Sequence, residues 1–140
     1  MPKFEKILVG IDGSERSYKA ASYAAELAGK YGAKVTLMYV ASSSTYTDRF
    51  SAKPTYVPKE DILAGEIFDP AKKMLDDKGV TFEIAMELGN PAQLLLDRSK
   101  QDFDLVVVGA KGVSGIQGFL MGSVSSRVVQ HSQVPVMVVP

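Results

Sequence analysis

Residues 105–123 read LVVVGAKGVSGIQGFLMGS: an unbroken apolar run, 105–108, enters a segment holding Gly109, Gly112, Gly115, Gly118 and Gly122. A short continuous apolar run is the pattern of a strand buried on both faces, as in a parallel sheet covered by helices. A helical pattern follows, Ser123–His131, with Val124, Val128 and His131 on one side. A glycine-dense passage from strand to helix offers backbone amides without side-chain obstruction. The helix start adds unpaired N–H groups and the positive end of its dipole, and together these bind phosphate. The same glycines could serve only as turns, so the segment by itself leaves both readings open.

Outward from this stretch, residues 6–11 (KILVGI), 34–40 (KVTLMYV) and Val136–Val139 (VMVV) are further apolar runs of the buried-strand type. Residues 81–88 (TFEIAMEL) differ, because Phe82, Ile84, Met86 and Leu88 alternate with Thr81, Glu83, Ala85 and Glu87. One face of that strand should see solvent, which puts it at a sheet edge. Between the strands, residues 14–31 carry Ala20, Ala24, Leu27, Ala28 and Tyr31 on one helical stripe, with Gly32 placed to end it. A second stripe holds Ala64, Ile67, Phe68, Ala71, Met74 and Leu75 and is closed by Gly79. Pro70 falls inside it, so the helix either kinks or restarts with Asp69 as N-cap; the restart is preferred. Asn90-Pro91 opens a third helix carrying Leu95, Leu96 and Ser99. The order β-α-β-α-β-α-β-α-β predicts an α/β fold of three layers.

The 140 residues fit one domain, 1–140, with a radius of gyration near ~14 Å. At 46% hydrophobic and 23% charged, the chain lies outside the disordered and fibrous classes. Sixteen basic residues balance sixteen acidic ones, against the basic surplus that nucleic-acid and anionic-membrane binders need. The absence of cysteine excludes disulfide scaffolds, thiolate metal sites and cysteine nucleophiles. No run approaches the ~20 apolar residues of a membrane span, and the N-terminus lacks the layout of a signal peptide, so a soluble cytoplasmic protein is expected. Residues 41–56 form a long polar stretch without periodicity, expected to act as a mobile lid. His131, the one histidine, is expected at the surface or in packing; Glu60-Asp61 and Asp76-Asp77 read as solvated faces at helix ends.

Two familiar phosphate motifs are missing. No G-x-x-x-x-G-K-[ST] is present, and Gly10-Ile11-Asp12-Gly13 is not G-x-G-x-x-G. What is present is Gly109-x-x-Gly112, nine residues, then Gly122-Ser123, of the form G-2x-G-9x-G-[ST]. This resembles the nucleotide-binding signature of the universal stress protein family, in its ATP-binding branch. The resemblance runs through residues 7–14 (ILVGIDGS), Gly89-Asn90-Pro91, residues 104–109 (DLVVVG), Gly122-Ser123-Val124-Ser125 and residues 134–139 (VPVMVV).

The resemblance implies a five-stranded parallel sheet of order 3-2-1-4-5 with helices on both faces, an adenine nucleotide alpha hydrolase-like or Rossmann-like architecture. ATP would lie in the crevice between the first and fourth strands, held with Mg²⁺ or Mn²⁺ mainly by phosphates and water. That location agrees with the rule that ligands of open α/β sheets sit beyond the strands' carboxyl ends where the strand order reverses. Carried over, Gly10, Ile11 and Asp12 end the first strand, with Asp12 near ribose or adenine; its other reading is an N-cap for the first helix. Val40 would offer main-chain groups to adenine, or is simply core. Gly109 and Gly112 would let the backbone approach ribose and phosphates, with Ala110 and Lys111 between them. Gly122, Ser123, Val124 and Ser125 would meet the phosphates. Many relatives carry His or Arg in the stretch that here reads Lys111-Gly112-Val113-Ser114, which leaves Lys111 as the candidate cation.

The resemblance thus implies an ATP-binding stress-response or regulatory protein. A slow ATPase or nucleotidyl-transfer enzyme is the rival, disfavoured because no general base for an attacking water can be named. A plain interaction module with a vestigial loop is the third reading, against which the intact glycine pattern counts. A homodimer through Val136–Val139 is expected, since an apolar edge strand without charged residues asks for a partner.

Overall fold

A computed structural model describes residues 3–41, 59–111 and 121–140. The elements in chain order are β1 (Lys6–Gly10), α1 (Glu15–Tyr31), β2 (Lys34–Ala41), α2 (Lys59–Asp77), β3 (Phe82–Leu88), α3 (Pro91–Ser99), β4 (Leu105–Gly109), α4 (Ser123–His131) and β5 (Val136–Val139). The sheet order is β3-β2-β1-β4-β5 with every pair parallel. The expected fold class and strand order are therefore what the chain adopts. Of the expected lid, Ala41 is the buried last residue of β2 and 42–56 lie outside the described residues.

Each interior strand supplies both faces with apolar side chains. Ile7, Val9, Val35, Leu37, Leu105 and Val107 pack with α1 and α2, in a core that also holds Phe68 and Leu75. Leu8, Met38, Val106 and Val108 turn the other way, against Leu95, Leu96 and Val128 of α3 and α4. This two-sided burial explains why the runs carry no polar alternation. Asp104 fixes the lower end of the central pair: its Oδ2 accepts the N–H groups of Glu5 and Lys6 at 2.8 and 2.9 Å.

Helix ends follow the grammar of their residues. Ser14 caps α1, its Oγ accepting the Ser17 N–H at 3.1 Å, and Gly32 closes it at φ 69°, a left-handed conformation glycine adopts without steric cost. Asn90 caps α3 through the Gln93 N–H at 3.0 Å, with Pro91 at the first helical position. The restart at Asp69 is not what forms, because α2 runs through Pro70 as one helix. Pro70 and Glu66, whose carbonyl loses its i+4 donor, are both exposed, so water can take the place of the missing bond.

β3 is an edge strand as expected, and most of its apolar side chains are exposed. Ile84, Met86 and Leu88 are 42%, 47% and 53% exposed. On the other face Ala85 is buried beside Met38 and Leu95, while Glu83 pairs with Lys34 at 2.7 Å and Glu87 with Arg98 of α3 at 3.0 Å. Glu83 stays exposed beside Lys34, while Ala85 is buried and Glu87 half-buried beside Arg98.

Two contacts position α1. A Cβ on Gly109 would lie 2.9 Å from both the carbonyl carbon and the Cβ of Arg16, so the first turn of α1 rests on the bare backbone at the end of β4. The Tyr18 hydroxyl donates to the Ile67 carbonyl at 2.9 Å and ties α1 to α2. Burial, then the carboxylates of Asp12 and Asp69, push the Tyr18 phenol above its usual 10.0.

Gly109→Ala is expected to lower stability by about 1–3 kcal/mol in urea unfolding, because backbone rather than a flexible side chain meets the new methyl. Tyr18→Phe should cost about 1 kcal/mol at neutral pH for the lost hydrogen bond. Its pH dependence is a second readout. The unfolded chain releases the phenolic proton near 10.0 while the folded chain retains it, so wild-type stability should fall as pH rises above 10.0. That component of the fall should vanish in Tyr18→Phe.

Candidate functional site

The strand order reverses between β1 and β4. From β1 the chain proceeds outward to β2 and β3, and from β4 to β5 on the other side, so the connections leaving β1 and β4 diverge. Their carboxyl ends are neighbours, Val9 being opposite Val107. Gly10, Ile11 and Asp12 stand on one side of the opening, and Gly109, Ala110 and Lys111 on the other.

Gly10 and Ile11 are framework. A Cβ on Gly10 would meet Leu95 at 3.2 Å, and Ile11 is buried with its N–H donating to the Met38 carbonyl at 2.8 Å. That bond is the last β1–β2 contact, one residue past the Gly10–Met38 pair. Val40, two residues beyond Met38, turns its peptide groups to the same side, past the end of β1. Its side chain packs half-buried against the α3–α4 core.

Asp12 is exposed, and Ser14 rather than Asp12 is the cap of α1. Asp12 supports that cap: its Oδ1 accepts the Ser14 N–H at 2.9 Å and the Ser14 hydroxyl at 2.5 Å. Ser17, buried, donates to the Ser14 carbonyl at 2.8 Å and accepts the Asp12 N–H at 3.3 Å. Ser14 thus holds the Asp12 carboxylate and Ser17 its backbone N–H, a pair the sequence reading did not single out. The S-x-x-S spacing at a helix start was its signal.

Across the opening, the Ala110 N–H donates to the Val139 carbonyl at 2.7 Å, carrying the β4–β5 ladder one step past Gly109. The Ala110 carbonyl accepts two donors, the Gly122 N–H and the Ser125 hydroxyl, each at 2.6 Å. Gly122 is the N-cap of α4 in extended backbone, φ −86° and ψ −179°, so no left-handed strain requires glycine there. Its amide is turned to Ala110 and the Ser125 hydroxyl is buried with it, an arrangement the glycine spacing did not announce. Ser123 is exposed, and at a helix start the N–H groups of Ser123 and Val124 have no acceptor four residues back within the helix. Lys111 is half-buried at the start of the connection; Gly112 lies outside the described residues. His131 is exposed at the far end of α4.

Peptide groups of Val40, the Asp12 carboxylate and the first turn of α4 therefore surround one opening. Peptide groups, a carboxylate and a helix start are the kinds of group that hold a polar ring edge, sugar hydroxyls and an anion. Among the described residues no three His, Asp or Glu side chains converge as a metal cluster, and no helix is long and apolar enough to cross a membrane.

Comparison with known proteins agrees with this architecture. The chain is 35% identical over 146 aligned residues to the universal stress protein YxiE of Bacillus subtilis, covering 97% of this chain and 99% of that one. It superposes on the solved structure of the protein MJ0577 with a TM-score of 0.81 at 22% identity, covering 97% and 95% of the two chains. A universal stress protein solved in complex with cAMP gives a TM-score of 0.73 at 27% identity, covering 99% and 98%. Residues 3–140 match the family model described as Universal stress protein family, and with the curated relative spanning nearly the same length, this chain belongs to that family.

Proposed function

We propose that this chain is a single nucleotide-binding domain that takes ATP in the opening between β1 and β4 and acts in the cytoplasm as a nucleotide-dependent stress-response regulator. The observation that carries the reading is the first turn of α4, whose Ser123 and Val124 amides lie beside the glycine-bounded end of β4. In this reading Asp12 takes the ribose hydroxyls, since a carboxylate accepts from them and repels phosphate. Val40 presents its peptide groups to the adenine edge. Ser123, Val124 and Lys111 meet the phosphates, with Gly112 and Gly109 keeping the backbone clear. A Mg²⁺ or Mn²⁺ ion would be carried by phosphate oxygens and water. The relative solved with cAMP supports an adenine nucleotide as the ligand class, being 27% identical over nearly the whole chain.

β5 supports a further part of the proposal, a homodimer. It is the edge opposite β3, its residues 136–138 are half-buried, and it carries no charge along Val136–Val139. A twofold partner strand would satisfy its outer peptide groups.

Nucleotide extracted from freshly purified protein, followed by calorimetric titration with ATP, tests the main reading; a turnover assay with Mg²⁺ separates binding from hydrolysis. Gly122→Val should weaken ATP binding by about tenfold or more while the domain stays folded, because the branched side chain crowds the start of α4. Unaltered affinity would remove the glycine loop from the site. Val138→Lys should shift the sedimentation of the protein toward monomer at micromolar concentration, and a wild-type chain already monomeric there would end the dimer proposal.

A further inference from the structure

We infer that the Ser125 hydroxyl is a positioning group that clasps the two ends of the glycine loop and holds the start of α4 in a phosphate-ready position, without itself contacting the ligand. This rests on the nucleotide reading above, and it separates the roles of two serines that the sequence presents as equivalents.

Ser125 is 3% exposed, whereas Ser123 is exposed. The Ser125 hydroxyl donates its single proton to the Ala110 carbonyl at 2.6 Å, with the Gly122 carbonyl at 3.3 Å as a minor second acceptor. It accepts the Gly122 N–H at 3.2 Å. With its proton spent, the oxygen has only lone pairs to offer, and lone pairs repel a phosphate.

The arrangement keeps one half of a capping box. In the full box the N-cap side chain reaches forward to the amide three residues on while the third helical residue reaches back to the N-cap amide. Glycine has no side chain for the forward bond, so only the bond from Ser125 back to the Gly122 amide is made. Ala110 closes the clasp: the same carbonyl takes the Gly122 N–H at 2.6 Å, and the Ala110 N–H is bonded to Val139 at 2.7 Å. The start of α4 is thereby fixed to β4 and β5 through one carbonyl, with residues 111–121 running between the clasped ends. Without the hydroxyl, Gly122 keeps one bond of two and the first helical turn gains freedom relative to the strands. A ligand anion would have to restrict that freedom on binding.

Calorimetric titrations with ATP and with adenosine, on the wild type, Ser125→Ala and Ser125→Thr, test this alongside amide exchange of Gly122 in the ligand-free proteins. Ser125→Ala should lose about tenfold in ATP affinity while adenosine binding stays within about threefold, because the clasp acts on the phosphate side. Gly122 exchange should quicken about tenfold in Ser125→Ala and stay unchanged in Ser123→Ala, whose hydroxyl is outside the clasp. Ser125→Thr keeps a hydroxyl and should recover ATP affinity to within about threefold of wild type. If Thr disturbs folding by its methyl, the Gly122 exchange of Ser125→Ala still decides whether the clasp exists. ATP affinity unchanged in Ser125→Ala, or ATP and adenosine weakened alike, would overturn the inference. A wild-type protein that binds neither ligand overturns the nucleotide reading itself, and this inference falls with it.

Discussion

β1 and β4 lie side by side at the centre of the sheet and must be buried on both faces. That requirement organises the rest of the molecule. Helices have to cover each face, α1 and α2 on one and α3 and α4 on the other, and the chain has to leave the two central strands in opposite directions. The divergence leaves their carboxyl ends uncovered. The opening is therefore a consequence of packing before it is a feature of any ligand.

The glycines at its rim serve packing as well. Gly109 is bare because the first turn of α1 rests on it, and Gly10 because Leu95 does. Their lack of side chains then keeps the rim low. Ser14, the cap of α1, is only two residues from Asp12 and orients the carboxylate at the mouth by local hydrogen bonds. Across the opening, Ala110 does the corresponding work by tying α4 to β4 and β5.

The edges show how charges are accommodated. Glu83, Ala85 and Glu87 share one face of β3 by strand alternation, and Lys34 and Arg98 stand beside the two carboxylates. The Lys34 hydrogen bond and charge hold the Glu83 carboxyl below its usual 4.5. Ile84, Met86 and Leu88 are exposed along β3 as well.

Local sequence determined much of this. Unbroken apolar runs at β1, β2, β4 and β5 could only be strands covered on both sides, and Ser14, Gly32 and Asn90-Pro91 marked helix ends by the conformations and hydrogen bonds those residues favour. The spaced glycines carried the family and pointed to the β4–α4 connection. What the tertiary structure alone decided were matters of partner and direction. Pro70 stays within α2 because it faces water, which no window of sequence discloses. The carboxylates of β3 find their partners in Lys34 and Arg98, and the Lys34–Glu83 pair joins residues far apart in sequence. Ser123 and Ser125 are both serines at the start of one helix, yet a difference of two residues rotates one outward and the other toward Ala110. A periodic pattern records which residues share a face; which carbonyl waits opposite a given hydroxyl is fixed only when the strands and helices have packed.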